Sequence, residues 1–398
     1  MKKSTKTSGV LFSLGICLFV SFFCAWLKAS TGFNGFLKWT PNADKAFEYF
    51  LISAWLPFVL YLLYTAFSKK KQALFFKFLS LLLSGIYIVI CVTAFFFLSI
   101  TGTIVSFDPS TVNILPSGES LPDRSKTVSD TEPLLRLGFS GDPHWGSNEA
   151  QSEIRTELLQ NIGAQHYDAF FILGDIADFG TKDEYYENAL ADIAKNMPST
   201  PIRFVMGNSD AKFNTKRQFS KAFLQNDKNL YSHIYAGHVH ILILNLLWDA
   251  EDFNTKQKKW FLKEISLIPE SDTVIVVSHC QIVASGYYTK SGRLFGESHD
   301  LIGRLSPYLE KYKADLVISG HCHFMEYLEK NDISYAVAGT MGGKLDSTLD
   351  YISPWSKWLS NLNYGWLEVE VFRTFFTFTF YGYDGTVLAS ASRDTVTD

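Results

Sequence analysis

An α/β domain set behind three membrane-spanning helices is the fold that this chain of 398 residues predicts. Three observations carry the expectation. Much of the apolar content lies before residue 105, in three long runs. From Leu134 onward, runs of β-formers alternate with amphipathic stretches at helical spacing, the pattern of a layered sheet-and-helix domain. Five of the β-runs end in a loop that carries an Asp, Asn or His.

The apolar runs cover residues 9–28, 48–67 and 78–100, each close to or above the roughly 20 residues that cross a bilayer's hydrocarbon layer. Trp26, Trp39 and Trp55 lie within or near their ends, as an aromatic belt requires, although Trp55 and Pro57 sit deeper. The basic start at Lys2, Lys3 and Lys6 also suits a cleaved signal peptide. No small-residue cleavage site follows, however, and two more spans come after it. Lys69, Lys70, Lys71 and Lys77 crowd the loop after the second span, so the positive-inside tendency puts that loop and the amino terminus in the cytoplasm. Three crossings then place everything after residue 105 on the extracytoplasmic face. Losing one span would reverse that result.

Residues 106–133 are rich in Ser, Pro, Asp and Thr and read as a linker between the membrane region and a domain over 134–398. Strands are expected at LLRLGFS, YDAFFIL, PIRFVM, HVHILIL, DTVIVVS and ADLVIS. Helices are expected over SNEAQSEIRTELLQNIGAQ, EYYENALADIAKNM, KQKKWFLKEISLI and HDLIGRLSPYLEKYK. The carboxyl end alternates like an antiparallel hairpin closing on Gly382-Tyr383-Asp384-Gly385, and no internal repeat is present.

Composition narrows the function. A net charge of −4 and a pI near 6.2 provide no basic field for nucleic acid. Five cysteines are too few and too scattered for a disulfide framework. Cys17, Cys24 and Cys91 lie in apolar runs. Cys322 falls between two histidines and alternation points it away from them, while Cys280 reads as a small packing residue.

The chemistry-bearing clusters are Asp142-Pro143-His144, Gly174-Asp175, Gly207-Asn208, His279 and Gly320-His321-Cys322-His323. They offer two carboxylates, one amide and four imidazoles, a sufficient donor set for two divalent metals. In layered α/β domains the loops leaving the carboxyl ends of strands meet at one edge, where ligands bind. Any one cluster alone would pass for a surface loop, but two histidines two apart point the same way on an extended segment. The repeated order of strand and then donor carries more weight than any single match.

In order and spacing these clusters resemble the calcineurin-like metallophosphoesterase family, whose signature runs Asp-x-His, Gly-Asp-x-x-Asp, Gly-Asn-His-Asp/Glu, a lone His and Gly-His-x-His. The resemblance covers about Leu134 to the carboxyl terminus, including YSHIYAGHVHILILNL and QKKWFLKEI between the motifs. It implies a four-layer α/β/β/α sandwich and hydrolysis of a phosphomonoester, phosphodiester or diphosphate through a hydroxide bridging two metals. By motif position, Asp142, His144 and His323 would hold the first metal, Asn208, His279 and His321 the second, and Asp175 both. The donors suit Mn²⁺, Fe²⁺ or Zn²⁺ without choosing among them.

One position departs from the family. Where it usually has His, this chain has Ser209, a poor proton donor at neutral pH. General-acid assistance is typically worth about 10²–10⁴ in rate. The proton would therefore come from Asp178, Asp210 or His299, the leaving group would be good enough, as in a diphosphate, to need little help, or the enzyme would be slow. His238 and His240 match a non-ligand strand, and His166 and His233 read as ordinary surface or half-buried residues. Gly339, Gly342 and Gly343 read as a tight turn near the site. Tethering at a bilayer suits a lipid or cell-envelope phosphate, and a soluble nucleotide fits nearly as well. The rival reading is a metal-binding pseudoenzyme serving as a membrane receptor or scaffold, with Ser209 as its support. A transporter is weaker still, because the spans contain almost no interior charge.

Overall fold

In the computed structural model of the protein, residues 2–29, 37, 40–67, 73–100, 108–129, 131–212, 216–227, 229–290 and 292–395 are described. The chain forms two compact units, Met1–Ile104 and Val105–Asp398. In the first, α1 (Lys2–Lys28), α2 (Pro41–Ser53), α3 (Leu56–Ala66) and α4 (Ala73–Ile100) supply three stretches long and apolar enough to cross a membrane: Thr7–Lys28, Asn42–Ala66 and Ala73–Phe96. The second stretch begins earlier than its hydrophobicity implies and is broken between Ser53 and Leu56. Pro57 has no N–H for the ladder, so the chain turns there. Neighbouring hydroxyl and thiol groups serve the carbonyls around the break. Cys17 Sγ donates to the Ala54 carbonyl at 3.1 Å and Ser80 Oγ to that of Pro57 at 2.6 Å. Lys69, Lys70, Lys71, Lys38 and Trp39 lie outside the described residues, as do the side chains of Lys2, Lys3 and Lys6.

The second unit is built on two sheets. The first has six strands in the order β15-β14-β13-β1-β2-β3, comprising β1 (Leu135–Ser140), β2 (Ala169–Ile172), β3 (Ile202–Phe204), β13 (Gly365–Val371), β14 (Phe375–Gly382) and β15 (Val387–Asp394). The second has seven in the order β12-β10-β11-β9-β6-β5-β4. These are β4 (Ser232–Ala236), β5 (Val239–Ile243), β6 (Thr273–Ser278), β9 (Leu316–Ser319), β10 (Met325–Lys330), β11 (Ile333–Ala338) and β12 (Ser356–Ser360). A small hairpin, β7 (Tyr287–Tyr288) with β8 (Leu294–Phe295), stands apart. β1, β2 and β3 pair in parallel, as do β5, β6, β9 and β11.

The central parallel strands are apolar on both faces because both faces are covered. Leu137, Phe139 and Phe171 from one sheet meet Ile241, Ile275, Val277 and Ile318 from the other, and Phe139 stacks on Phe171 at 4.9 Å. Outside the first sheet lie α5 (Ser152–Gly163), α6 (Asp183–Asn196) and α8 (Lys216–Phe223), which bury Leu158, Tyr186 and Phe219. Outside the second lie α9 (Thr255–Ile265), α10 (His299–Arg304) and α11 (Ser306–Lys311), which bury Phe261, Leu301 and Leu309. The four layers follow. The last two helices were expected as one; Pro307 lies in the first turn of α11 and separates them.

The segment expected to be a free linker is, over 108–129, part of this unit. Four of its sparse apolar side chains, Val112, Ile114, Leu115 and Leu121, are buried. Leu115 donates its N–H to the Ile202 carbonyl at 2.8 Å, and Leu121 donates to Tyr235 at 2.9 Å, so the segment covers the open edges of β3 and β4. Buried Arg203 ties it down by donating to Ser117 Oγ (2.7 Å) and to the Leu115 carbonyl (3.3 Å). Composition hid this, since a few well-placed apolar groups sit among many polar ones. A fragment beginning at residue 130 is therefore expected to aggregate and melt lower than one beginning at 105. Each buried aliphatic side chain is worth about 1.5–3 kcal/mol, and equal melting temperatures would contradict this account.

Candidate metal centre

The five donor loops leave β1, β2, β3, β6 and β9 at their carboxyl ends and are laced together by backbone hydrogen bonds. Asp142 N–H reaches Gly174 O at 3.0 Å, His144 N–H reaches Asp175 O at 3.1 Å, and Gly320 N–H reaches His279 O at 3.0 Å. Nine described residues other than glycine have left-handed backbone, and four are donor residues: Asp142 (φ 61°), His144 (φ 48°), Asp175 (φ 51°) and His321 (φ 67°). Such conformations cost energy and cluster where the surroundings enforce a functional geometry. Gly207 is obligatory here for a related reason, because a Cβ would lie 2.0 Å from the Asp175 nitrogen.

All seven expected donors are brought together. His144 Nε2 lies 3.3 Å from His323 Nε2 and 3.4 Å from Asp175 Oδ2, and His323 Nε2 lies 3.3 Å from Asp142 Oδ1. On the other side, His279 Nε2 is 2.8 Å from Asn208 Oδ1, 3.0 Å from His321 Nδ1 and 3.5 Å from Asp175 Oδ1. Asp175 thus faces both groups through different oxygens. Asp142, His144 and His323, and again Asp142, Asp175 and His279, place candidate ligand atoms within 4.8 Å of one another.

The far nitrogens of the rings fix their tautomers. His279 Nδ1 donates to the Leu173 carbonyl at 2.8 Å and His323 Nδ1 to that of Lys344 at 2.6 Å, while His144 Nδ1 faces Asp178 Oδ1 at 3.4 Å. Each Nε2 is thereby turned inward, the orientation that metal-ligating histidines use. Asp142 Oδ1 is buried and has no hydrogen-bond partner. Lone pairs of nitrogen, carbonyl and carboxylate converging at such distances repel unless a positive charge, a proton or a metal, lies among them. The donor set therefore fits a metal.

Electrostatics agree with this. Burial raises the Asp175 carboxyl, but His279, His144, Lys212 and His321 outweigh it and hold it well below the usual carboxylate range. Burial, then His279, keeps His321 neutral, as a ligand must be. Burial opposes charge on His323, yet the Asp142 carboxylate beside it, with Asp346, pushes it up to about 10. A metal must displace that proton. Affinity for Mn²⁺ is therefore expected to rise about tenfold per pH unit between pH 6 and 8.5, with release of about one proton per chain. Calorimetry in buffers of different ionisation enthalpy measures both, and a flat affinity would contradict it.

The three candidate proton donors, Asp178, Asp210 and His299, and the departing Ser209 separate clearly. Asp178 is half-buried and supports His144, whose hydrogen bond holds its carboxyl low. Ser209 donates both N–H and Oγ–H to Asp175, each at 2.7 Å. Asp210 is buried and accepts from the N–H groups of Gly207, Ile176 and Ala177 and from Tyr186 Oη. Its carboxyl is committed to holding two donor loops together. His299 stands largely exposed in the first turn of α10 with Glu297 3.9 Å away, and takes no part in the network among the donor side chains. Sequence reasoning missed Asp346, which accepts the His323 N–H at 2.9 Å, and the rings of Phe295 and Trp248 packed on His321 at 4.7 and 5.8 Å. It also missed Lys212, for which no motif signalled a role. Cys322 and Cys280 are buried, and Cys280 donates to the Trp248 carbonyl, in keeping with packing.

Residues 135–325 match the family model described as calcineurin-like phosphoesterase. The chain carries a calcineurin-like phosphoesterase domain. Purple acid phosphatase 7 of Arabidopsis thaliana is 22% identical over 283 residues, covering 64% of this chain and 85% of that protein. Tartrate-resistant acid phosphatase type 5 of Homo sapiens is 23% identical over 249 residues, covering 52% and 73%. Among solved structures, purple acid phosphatase PPD1 from yellow lupin (Lupinus luteus) superposes with a TM-score of 0.54 at 16% identity, over 67% of this chain and about half (54%) of that one. GAP50, described as the anchor in the inner membrane complex of Plasmodium, gives 0.52 at 18% identity over 66% and 89%. These likenesses between structures concern the fold of the phosphoesterase domain.

Proposed function

We propose that this chain is a membrane-anchored, binuclear metal-dependent phosphoesterase that hydrolyses a phosphomonoester, phosphodiester or diphosphate. The convergence of seven donor atoms from five strand-end loops supports the reading most strongly. Asp142, His144 and His323 would hold one divalent ion, Asn208, His279 and His321 a second, and Asp175 would join them; Mn²⁺, Fe²⁺ and Zn²⁺ all suit these donors. Such a pair supplies a nucleophile at neutral pH and polarises phosphoryl oxygens. The chain's own part is positioning. Leu173 O, Lys344 O and Asp178 orient the three imidazoles, and Ser209 holds both Asp175 oxygens. The three apolar helical stretches are the proposed membrane anchor, with the domain on the extracytoplasmic face. A lipid or cell-envelope phosphate is the favoured substrate class, with a nucleotide as the alternative.

The Plasmodium anchor protein and Ser209 together favour a second reading, a metal-binding scaffold. The full chain loaded with Mn²⁺ and assayed on aryl mono- and diesters separates the two. Turnover is expected; bound metal without turnover, in both the wild type and Ser209→His, would favour the scaffold. A reporter fused after residue 105 tests the orientation.

A further inference from the structure

Ser209 carries no charge, and the donor shell itself is acidic, with Asp142 and Asp175 inside it and Asp178 and Asp346 bonded to its histidines. Two divalent ions held by the donors would do no more than balance these four carboxylates, so a further cation would favour a phosphate ester there. The structure brings one. Lys212 follows directly on the short helix α7 (Asn208–Ala211), and its side chain folds back over it. Its Nζ donates to Ser209 Oγ at 3.3 Å and to the Asp178 carbonyl at 3.2 Å, and lies 4.8 Å from the centre of the Phe179 ring. Ser209 Oγ is itself 2.7 Å from Asp175 Oδ2, so a single hydroxyl separates the ammonium from the carboxylate common to both halves of the centre.

We propose that Lys212 is the substrate-binding cation of this site, its ammonium contacting a phosphoryl oxygen beside Ser209. The inference rests on the phosphoesterase reading and adds a residue to it. A lysine suits the task as a compact point charge that binds phosphate. Phe179, 39% exposed, and the Asp178 carbonyl hold the long side chain in place, reducing the rotamer freedom that binding would otherwise remove. The bland alternative is that Lys212 merely fastens the Asp178 turn to α7. The two differ in what they say about anions.

The test uses the full chain loaded with Mn²⁺ and inorganic phosphate as a competitive inhibitor. Lys212→Met is expected to weaken phosphate about ten- to a hundredfold, the range for a hydrogen bond to a charged group. Metal content should not change, KM for a dianionic aryl monoester should rise more than for a diester monoanion, and Lys212→Arg should recover most of the loss. Unchanged inhibition by phosphate with metal retained overturns the proposal while leaving the phosphoesterase reading intact. If the variants lose metal or fold poorly, the wild type decides. Reductive methylation of Lys212, followed by mass spectrometry, should slow when phosphate is added to the metal-loaded protein. Labelling at the same rate overturns the proposal. A metal-loaded wild type that neither turns over esters nor binds phosphate overturns both.

Discussion

Asp175→Ala is expected to abolish turnover and strip both metals while leaving the domain folded. The carboxylate faces both halves of the donor set through different oxygens, 3.4 Å from His144 Nε2 through Oδ2 and 3.5 Å from His279 Nε2 through Oδ1. Without it, two clusters of inward lone pairs remain with no shared anion between them. Metal pairs contribute several kcal/mol of charge stabilisation in the transition state. At about 1.4 kcal/mol per tenfold, their loss lowers kcat/KM by about a thousandfold or more. Asp175→Asn is the sharper variant, because an amide oxygen can still accept from Ser209 N–H and so preserves the local packing. It is expected to lose metal nearly as completely. Metal analysis of the purified variants, together with melting curves in chelator, checks the result; two ions retained in Asp175→Ala would contradict it.

Asp210→Ala is expected to act on stability rather than chemistry alone. The Asp210 carboxyl is fully buried and accepts from Gly207 N–H (3.0 Å), Ile176 N–H (3.1 Å), Ala177 N–H (3.1 Å) and Tyr186 Oη (3.1 Å). Burial and the neighbouring Asp175 raise its pKa, to about 7, against the pull of those backbone groups. Removing the side chain leaves buried donors without acceptors, at about 1–3 kcal/mol each, and a net cost of about 3–5 kcal/mol is expected. Because those donors belong to the loops carrying Asp175 and Asn208, metal affinity should fall with stability. Urea unfolding of the metal-free protein separates the two effects. A loss of activity with no loss of stability would instead make Asp210 a participant in the reaction.

Much of the site was legible because its grammar is local. Asp142, Asp175, Asn208, His279 and His321 each follow a buried strand closely, and parallel pairing sends their loops to one edge. What escaped notice depends on distant partners. Lys212 has no motif, and its direction follows from α7 ending after a single turn. Asp346 acts across 23 residues on the His323 nitrogen. His299 looked suitable as an imidazole in a polar loop between two motifs, and only the placement of α10 shows it exposed. The β10–β11 hairpin was overlooked although Asn331-Asp332 marks it, both residues having the positive φ of a type I′ turn. The segment over 108–129 was mistaken for a linker because edge coverage requires only a few apolar side chains.

Everything rests on cations residing among the converging lone pairs. Diffraction from crystals grown with Mn²⁺, recorded at the manganese absorption edge, locates them directly. The expected map has two anomalous peaks per chain, one beside His144 and His323 and one beside Asn208, His279 and His321, with Asp175 touching both. A map with no peak there, or with manganese bound elsewhere on the domain, would contradict this account.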